Sequence, residues 1–552
     1  MWRADAALAG GVLAVAAAVP TADTRRCVMA TRTDREAGIR LDESGPIAHT
    51  HSGRVRGELA GPIAVWRGVP YGAPVTGPHR LRPPRPPQPW DGVRDCRTVG
   101  DIAPQSLGPM VPVDPALRMG EDCLWLNIWA PVEPGADGPR PVMVWLHGGA
   151  YCLGSAAQAI YDGRELAARG GVVVVTVNYR VGVLGFLDLS SLSPEFTANL
   201  GLLDQVSALE WVRDNIAAFG GDPGNVTLFG ESSGAGCVTA LLTAPAAAGL
   251  FHKAIAQSPP ATTVFGRPRG ELVARRFLEL LDLPPRRAAE LTDLPMERLV
   301  EAAGVLFDEV PTKEPGRPAA APVVDGELLP DYPINVFQRG RSHRVPLIVG
   351  SNKDEASLFK VFRSPIMPVT PQAVTMMLRD VADNHPDLSP ERVAEIVSAY
   401  PDPSTPRGAL AISTDAAFRL PARWVADGHS AHSMTWVYRF DHATPMLRAA
   451  RIGAGHATEV PYVFGNFGTL NPDPTFWLGG RRQATEVSGR MMRRWLAFAT
   501  HGVPAALDGS KHWRPYDTTT RHTLVIDAID RLVPDPDHAL HSAWGDQAVG
   551  FR

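Results

Sequence analysis

The sequence predicts an α/β fold with a large, mostly parallel central sheet, helices on both faces and helical insertions. Continuous apolar runs over 141–146, 172–177 and 345–350 are typical of strands that are buried on both faces of a sheet. After the second run, residues 199–219 repeat apolar side chains at helical spacing. Strands that alternate with helices along a chain form a mainly parallel sheet, and this order therefore predicts the fold class.

Composition indicates a soluble globular protein with a large core. The chain has 552 residues, of which 45% are hydrophobic and 20% are charged. Its net charge of −4 is small, so neither nucleic acid nor an anionic membrane is an expected partner. Because we find no internal repeat, low-complexity linker or domain-sized shift in composition, we predict a single domain over 47–552.

Residues 1–46 are predicted to be a signal-like or disordered segment. The apolar run Ala6–Pro20 is too short to span a bilayer, and with Arg3 before it the run resembles a secretory signal. Asp5 weakens that resemblance, and Met29 is an alternative start that would leave a cytoplasmic protein. The compartment therefore stays open between cytoplasmic and secreted. No later run reaches membrane-spanning length, so we expect no stable membrane association.

The remaining elements follow from local patterns. Residues 47–101 are rich in Gly and Pro and predict a small antiparallel strand set that is followed by a Pro-rich loop over 81–90. Asn199 is expected to cap the helix 199–219, and Gly220 with Gly221 is expected to end it. Further helices are predicted over 159–170, 270–314, 371–400 and 486–501, and further strands over 121–129, 435–440 and, as a last edge strand, 524–526.

The segment from Asn225 to Gly236 predicts a strand, a tight turn that carries a serine, and the start of a helix. Gly230, Ser232 and Gly234 match the pattern Gly-x-Ser-x-Gly of a nucleophile elbow. We expect a strained backbone at Ser232, and glycines on either side because a Cβ there would collide with neighbouring backbone. The pattern alone occurs by chance in many long chains, so it needs a base and an acid elsewhere.

Candidates for both partners follow later strands. A serine hydroxyl is a weak nucleophile at neutral pH and needs a histidine base, which in turn needs a carboxylate to orient it. In α/β-hydrolases these residues occur in the order serine, acid, histidine. Asp354 and Glu355 follow the strand 345–350, and His456 follows the strand 435–440. The order therefore favours Ser232, one of the two carboxylates, and His456.

Several longer motifs carry a family resemblance. They are Glu121-Asp-Cys-Leu-Trp-Leu-Asn127, Trp145-Leu-His-Gly-Gly-Ala150, Asn178-Tyr-Arg180, Asn199-Leu-Gly-Leu-Leu-Asp-Gln205, Phe219-Gly-Gly-Asp-Pro223, Gly230-Glu-Ser-Ser-Gly234, Phe251-His-Lys-Ala-Ile255, Asn352-Lys-Asp-Glu355, Gly455-His456 and Pro461-Tyr-Val-Phe-Gly-Asn466. On these residues, from about 47 to 528, the sequence resembles the type-B carboxylesterases, which include para-nitrobenzyl esterases, lipases and cholinesterases, and in particular a bacterial-type member.

The resemblance implies an α/β-hydrolase fold and a serine hydrolase that cleaves carboxylic esters through an acyl-enzyme intermediate. In that family the residues matching Ser232, Glu355 and His456 are the nucleophile, the acid and the base. The family uses Glu as the acid, which favours Glu355 over Asp354. A small-molecule ester is the implied substrate, and no metal or organic cofactor is implied.

The resemblance also implies an oxyanion hole formed by the backbone N–H groups of Gly149, Ala150 and Ser233. Two other kinds of function stay open at this point. One is a lipase or a carbamate or amide hydrolase of the same fold. The other is a binding or adhesion protein, since the family includes members that lost catalysis, although this chain keeps all three candidate catalytic residues.

Several residues depart from the family pattern. Ser233 replaces the usual Ala after the nucleophile, while Ala356 and Ala457 replace the Gly that usually follows the acid and the histidine. The segment Gln257–Pro260 replaces Gln-Ser-Gly and is expected to reshape the acyl side of the pocket. Ala103 stands where secreted members often carry a cysteine.

The cysteines predict neither a disulfide framework nor a zinc site. The chain has five of them, and none shows zinc-ligand spacing. A bond between Cys96 and Cys123 stays open. Cys237, on the helix after the elbow, is expected to be a buried thiol.

Overall fold

The computed structural model describes residues 39–108, 113–136, 138–384, 388–468, 473–505 and 512–550. The predicted signal-like run Ala6–Pro20 and the alternative start Met29 lie outside the described residues. Residues 40–46, which the sequence assigned to the N-terminal segment, form one strand and the beginning of the next. The division of the chain into that segment and a single domain stays a prediction.

The strands form one large sheet and two small ones. In chain order the strands of the described residues are β1 (Arg40–Asp42), β2 (Gly45–Thr50), β3 (Gly53–Arg56), β4 (Glu58–Ala60), β5 (Ile63–Pro70), β6 (Val93–Asp95), β7 (Trp125–Pro131), β8 (Arg140–Leu146), β9 (Val173–Val177), β10 (Gly221–Glu231), β11 (Lys253–Gln257), β12 (Phe265–Gly266), β13 (Val323–Val324), β14 (Leu347–Asn352), β15 (Thr435–Phe440), β16 (His522–Ile526) and β17 (Arg531–Pro534). The small sheets are β1-β2-β3-β6 and β12-β13.

The large sheet has the order β17-β16-β15-β14-β11-β10-β8-β9-β7-β5-β4. All neighbouring pairs from β9 across to β16 are parallel. The pairs at both ends of the sheet are antiparallel. The predicted fold class is thus confirmed. The prediction that 524–526 forms the edge is wrong, because β17 pairs with β16 on its outer side.

Helices lie between the strands and in two insertions. In chain order they are α1 (Arg164–Gly170), α2 (Leu200–Asn215), α3 (Ser233–Leu241), α4 (Arg267–Leu280), α5 (Met296–Lys313), α6 (Pro333–Gln338), α7 (Ala356–Val361), α8 (Pro371–Asn384), α9 (Pro390–Ser398), α10 (Pro406–Thr414), α11 (Leu420–Ser430), α12 (Pro445–Ala449), α13 (Val460–Phe464), α14 (Arg481–His501) and α15 (His538–Trp544). In the described part of the chain, no helix has both the length and the apolar character needed to cross a membrane.

Strand β8 shows how the core is divided into two layers. Val144 and Leu146 point into a cluster that also holds the apolar faces of α2 and α3. Met143 and Trp145 point to the opposite face, where α1 and α14 pack. Successive side chains of a strand face opposite sides, so a central strand with an apolar run needs helices on both faces. Full burial of a side chain such as Trp145 contributes about 3 kcal/mol.

Helix α2 is held at its start in a way that the sequence did not predict. Asn199 occupies the cap position, but its side chain bonds to no helix N–H. Instead it donates to the carbonyl of Val323 at 2.8 Å and accepts from the N–H of the same residue at 2.8 Å. The predicted capping by Asn199 is therefore wrong. At the other end, α2 continues as a short 3-10 turn and stops at Gly220, whose φ of 78° favours glycine.

The described cysteines are all free. Cys96 and Cys123 are both buried and do not form the bond that the sequence left open. Cys237 lies fully buried in α3, as predicted. Burial raises the pKa of the Cys237 thiol to about 12, which makes it a poor nucleophile.

Candidate active site

Ser232 lies on a strained turn between β10 and α3. Its backbone has φ 57° and ψ −129°, a conformation that costs about 1–3 kcal/mol in a non-glycine residue. Two hydrogen bonds hold the turn: the Ser232 N–H donates to the carbonyl of Gln257 at 2.9 Å, and the Gly236 N–H donates to the Ser232 carbonyl at 2.9 Å. The strain that the sequence predicted for this turn is present.

The two glycines of the turn are required by close backbone approach. A Cβ on Gly230 would lie 2.7 Å from the carbonyl carbon of Gly234, and a Cβ on Gly234 would lie 2.2 Å from the carbonyl oxygen of Leu146. Backbone atoms of a central strand cannot move away cheaply. The predicted need for glycine at both positions is confirmed.

We expect Gly234→Ala to lower the free energy of unfolding by about 3 kcal/mol or more, because the added methyl group collides with backbone. Gly489→Ala is the matched control. Gly489 lies within α14, and a Cβ there meets no atom within 4 Å. The control should therefore gain about 0.5–1 kcal/mol from better helix propensity. Urea unfolding of the two variants checks this, and equal stabilities would contradict the packing argument.

A continuous chain of hydrogen bonds joins Ser232, His456 and Glu355. The Nε2 atom of His456 lies 2.8 Å from the Ser232 Oγ, and its Nδ1 atom lies 2.7 Å from the Glu355 Oε2. Glu355 directly precedes α7, in the turn that follows β14, and His456 lies in the loop after α12. The structure thus brings together three side chains that are far apart in sequence.

The Glu355 carboxylate is fully buried and satisfied by three donors. Its Oε1 accepts the Ser258 hydroxyl at 2.6 Å and the Asn352 N–H at 2.6 Å, while its Oε2 faces His456. Donors of this kind stabilise the charged carboxylate. Asp354, the alternative acid, faces away and accepts the N–H of Ala454 at 3.1 Å. The carboxylate that contacts His456 Nδ1 is therefore that of Glu355.

A further carboxylate approaches the same histidine. The Glu231 Oε1 lies 3.2 Å from the His456 Nε2, and the Glu231 side chain is buried. Sequence reasoning passed over Glu231, although its position directly before Ser232 was a usable signal. Strand β10 ends at this residue, so the turn that lifts the serine also places the carboxylate next to it.

The titration of His456 reflects these neighbours. Burial lowers the pKa of His456, but the carboxylates of Glu231 and Glu355 outweigh burial, and the pKa of the imidazole is raised overall. Burial also raises the pKa of the Glu231 carboxyl, and its contact with His456 opposes that rise. The two groups are coupled, so each carries charge most easily when the other does.

A buried polar network supports the base of the site. Glu459 accepts the side-chain N–H groups of Gln257 at 3.1 Å and of Asn352, and Trp495 donates its ring N–H to Gln257 at 3.1 Å. Since Gln257 also anchors the Ser232 turn and Asn352 anchors Glu355, the network ties both residues to one rigid base. The sequence did not identify Glu459 or Trp495 as part of the site.

Two phenylalanines enclose the histidine ring. Phe418 stacks on His456 with ring centroids 4.5 Å apart, and Phe359 lies 5.1 Å away at a tilt. Phe418 belongs to a single π-helical turn, Asp415–Arg419, between α10 and α11. Such turns are rare and occur often at functional sites. The stacking restricts rotation of the imidazole and excludes water from one of its faces.

The loop after β8 has an unusual backbone. Gly149, Ala150 and Tyr151 have φ values of 128°, 54° and 62°. A Cβ on Gly149 would lie 2.0 Å from the carbonyl oxygen of Leu153, so only glycine fits there. Within the described residues, no backbone hydrogen bond uses the N–H of Gly149, Ala150 or Ser233 as a donor. These three groups are available to a ligand.

Ser232 and His456 open into a cavity of about 1510 Å³. Its wall is mainly apolar; lining residues include Phe359, Phe418, Met446, Leu447, Tyr462 and Phe476. A concave apolar site with a few convergent polar groups is typical of small-molecule binding. Over the ranges that the structure describes, no group of three or more His, Cys, Asp or Glu side chains could hold a metal ion.

The residues that depart from the family pattern lie around this cavity. Ser233 and Pro260 line it, and Ser258 contacts Glu355. Ala457 also lines it and has φ 61°, a conformation that glycine adopts at lower cost. Ala356 donates its N–H to the Thr414 hydroxyl at 3.1 Å.

Comparison with known proteins agrees with the fold. A sequence model of the carboxylesterase family matches residues 44–535. The para-nitrobenzyl esterase of Bacillus subtilis is 35% identical over 499 residues, which cover 89% of this chain and 96% of that protein. Carboxylesterase 4A of Bos taurus is 34% identical over 530 residues, covering 89% and 93% of the two chains.

A solved structure of a PNB esterase superposes with a TM-score of 0.79 at 34% identity, and covers 90% of this chain and 99% of that chain. The chain therefore belongs to the carboxylesterase family, and it is a carboxylic-ester hydrolase with the α/β-hydrolase fold.

Proposed function

We propose that this esterase works through an acyl-enzyme on Ser232, with His456 as general base and acid and Glu355 as the group that orients the histidine. The Ser232 Oγ attacks the ester carbonyl carbon while the His456 Nε2 takes the hydroxyl proton. The C–O bond to the alcohol then breaks, and the alcohol leaves with that proton. Water repeats the sequence on the acyl-enzyme, which releases the carboxylic acid and restores the serine.

Glu355 stabilises the imidazolium that forms in each step. It faces Nδ1, the nitrogen that does not exchange the proton, so it fixes the tautomer that leaves Nε2 free to accept. Its two other donors, from Ser258 and Asn352, hold the carboxylate in place in a fully buried position.

We assign the oxyanion hole to the N–H groups of Gly149, Ala150 and Ser233. They lie in two elements that border the cavity at Ser232, and the positive end of α3 adds to their field. Donors of this kind stabilise the transition state because negative charge develops on the carbonyl oxygen, and loss of one costs about 3–4 kcal/mol.

The observation that carries the proposal is the hydrogen-bonded chain from Ser232 through His456 to Glu355 at the base of the cavity. The test is hydrolysis of a short-chain chromogenic ester with and without an organophosphate, followed by mass spectrometry. A stoichiometric adduct on Ser232 together with loss of turnover is the expected result. Turnover that survives complete labelling of Ser232 would overturn the assignment.

The finer predictions on substrate and partners also remain proposals. We infer that the substrate is a small ester free in solution, and that nucleic acid and membranes are not partners. The apolar cavity suits such an ester. A chain-length series of esters, carbamates and amides separates an esterase from a lipase or an amide hydrolase by its relative kcat/KM values.

Glu231→Gln is expected to move the acid limb of the kcat/KM profile to lower pH by about one unit. The Glu231 carboxylate stabilises protonated His456, so its removal lowers the pKa of the histidine. The unprotonated base then persists to lower pH. The measurement is kcat/KM against pH for a neutral ester. Glu459→Gln is the control: Glu459 does not contact His456 directly, so this variant should shift the acid limb less. An acid limb at the wild-type pH in Glu231→Gln would contradict the argument.

A further inference from the structure

Among the described residues, three cations line the active-site cavity. Lys360, Arg363 and Arg451 border the same cavity as Ser232 and His456, and all three side chains are exposed. Lys360 lies in the last turn of α7, Arg363 follows that helix, and Arg451 follows α12. The basic residues of the lining come from these two neighbouring short helices.

The two helices pack against each other. Leu358 and Val361 of α7 contact a cluster formed by Ala443, Leu447 and Ile452 around α12. We call the segments 358–363 and 447–452 the basic wall. The three cations therefore belong to two chain segments that pack together and that both line the cavity.

In the part of the chain that the structure describes, the cations of the basic wall have no carboxylate partner. No described Asp or Glu oxygen lies within 4.0 Å of the charged nitrogens of Lys360, Arg363 or Arg451. Arg448 on the same helix differs, since it lies 3.9 Å from Asp527. Arginines elsewhere in the fold are commonly paired, as Arg419 is with Asp415. The basic wall therefore keeps its positive charge available to a ligand.

The carboxylates that line the cavity lie elsewhere on its surface. Glu231 is at the base beside His456. Asp473 caps the turn that follows it and accepts the Thr475 N–H at 2.9 Å. The carbonyl of Thr475 accepts the hydroxyl of Thr444, which lies at the start of α12, whereas Arg451 lies beyond the end of that helix. Asp114 accepts the Ala116 N–H at 2.9 Å on a separate loop. None of them neutralises the basic wall by direct contact.

Two of the cations have the left-handed backbone conformation that glycine adopts most easily. Arg363 has φ 50° and Arg451 has φ 58°, and each follows the end of a helix. Helices commonly end with glycine in this left-handed conformation, because other residues are strained there. A residue that departs from such a local backbone preference, with no stabilising contact in return, often serves a function. Here both exceptions place a guanidinium at the cavity.

We propose that the basic wall binds a carboxylate on the substrate, so that the preferred substrates are esters carrying a free carboxylate away from the scissile bond, such as half-esters of dicarboxylic acids. The inference rests on the proposed function of Ser232 and deepens it. Arginine suits this task because its planar guanidinium matches the two oxygens of a carboxylate. The mainly apolar lining of the cavity accommodates the methylene spacer.

The test compares pairs of chromogenic esters that end in a carboxylate or in the isosteric, neutral carboxamide. One series carries the end group on the acyl side and another carries it on the alcohol side, each over several spacer lengths. In at least one series we expect kcat/KM to favour the carboxylate about tenfold at low ionic strength. This ratio should fall at high salt, where the Debye length shrinks from about 10 Å at 0.1 M to about 3 Å at 1 M.

Variants then locate the effect. Arg363→Asn and Arg451→Asn remove the charge but keep a residue that tolerates the left-handed backbone, and Lys360→Gln removes the third charge. Each should lower the carboxylate-to-carboxamide ratio about twofold to fivefold, and the triple variant should bring it close to one. Taking the ratio within each variant removes any general effect of the substitution on turnover. Thermal unfolding checks that each variant is folded.

Arg448→Gln is the matched control, because it removes the same charge from α12 outside the cavity lining and should leave the ratio unchanged. A ratio near one in the wild type for both series would overturn the proposal, as would an unchanged ratio in the triple variant or an equal loss in Arg448→Gln. Failure of the proposed function is distinguishable, since hydrolysis of the carboxamide esters would then survive the replacement Ser232→Ala, whatever the carboxylate-to-carboxamide ratio.

Discussion

Replacement of Ser232 by alanine is expected to lower kcat for a short-chain ester by about a million-fold, with the fold unchanged. The hydroxyl is the atom that forms the acyl-enzyme in the proposed mechanism, and the alanine variant has no nucleophile in its place. The residual rate would come from the oxyanion hole and from substrate binding, which still accelerate attack by water about a thousandfold.

Ser233→Ala is the matched variant for that experiment. It removes a hydroxyl from the adjacent position of the same turn but keeps the backbone N–H that we assign to the oxyanion hole. We expect it to retain most of the turnover. Steady-state rates, circular dichroism and organophosphate labelling of both variants check the prediction. A Ser232→Ala protein that still turned over at a rate near the wild type would refute the nucleophile assignment.

Glu355→Gln is expected to lower kcat by about ten-thousandfold. The uncharged amide cannot stabilise the imidazolium of His456, and its NH₂ group favours the wrong tautomer of the ring. Since Glu355 is buried and accepts three hydrogen bonds, solvent cannot enter its place to stabilise the imidazolium in the variant. KM should change little, because Glu355 is absent from the cavity lining.

Asp354→Asn is the control that distinguishes the two adjacent carboxylates. Asp354 accepts the N–H of Ala454 and does not contact His456, so an asparagine there should cost less than tenfold in kcat. Parallel kcat measurements on the two variants decide between them. If Asp354→Asn lost more activity than Glu355→Gln, the acid would have to be reassigned.

Local patterns account for the parts of the fold that the sequence predicted well. The strand β15 occupies the predicted residues 435–440, and β8 differs from the predicted 141–146 by one residue. These runs are buried on both faces, so their composition alone distinguishes them. The elbow at Ser232 was predictable for a similar reason: its glycines are required by contacts with backbone only a few residues away and on the adjacent strand.

Two predictions failed because a hydrogen-bonding partner was not recognised in the sequence. Asn199 has the composition of a helix cap, but its side chain pairs with the backbone of Val323 instead. The strand over 524–526 was expected at the sheet edge, but β17 covers it. The partner of Asn199 is distant in sequence and becomes its neighbour only by tertiary packing, whereas β17 follows β16 closely in the chain and was not identified as a strand.

The sequence by itself determined the fold class, the family and the three side chains proposed for catalysis, because each lies in a motif that is contiguous in the chain. The tertiary structure decided which carboxylate contacts His456, added Glu231 as a second charge at its Nε2, and placed the π-helical Phe418 against its ring. It also gathered the cations of α7 and α12 on one wall of the cavity. These features are contacts between residues of different elements. Such contacts form only when the sheet has formed and the helices have packed on it.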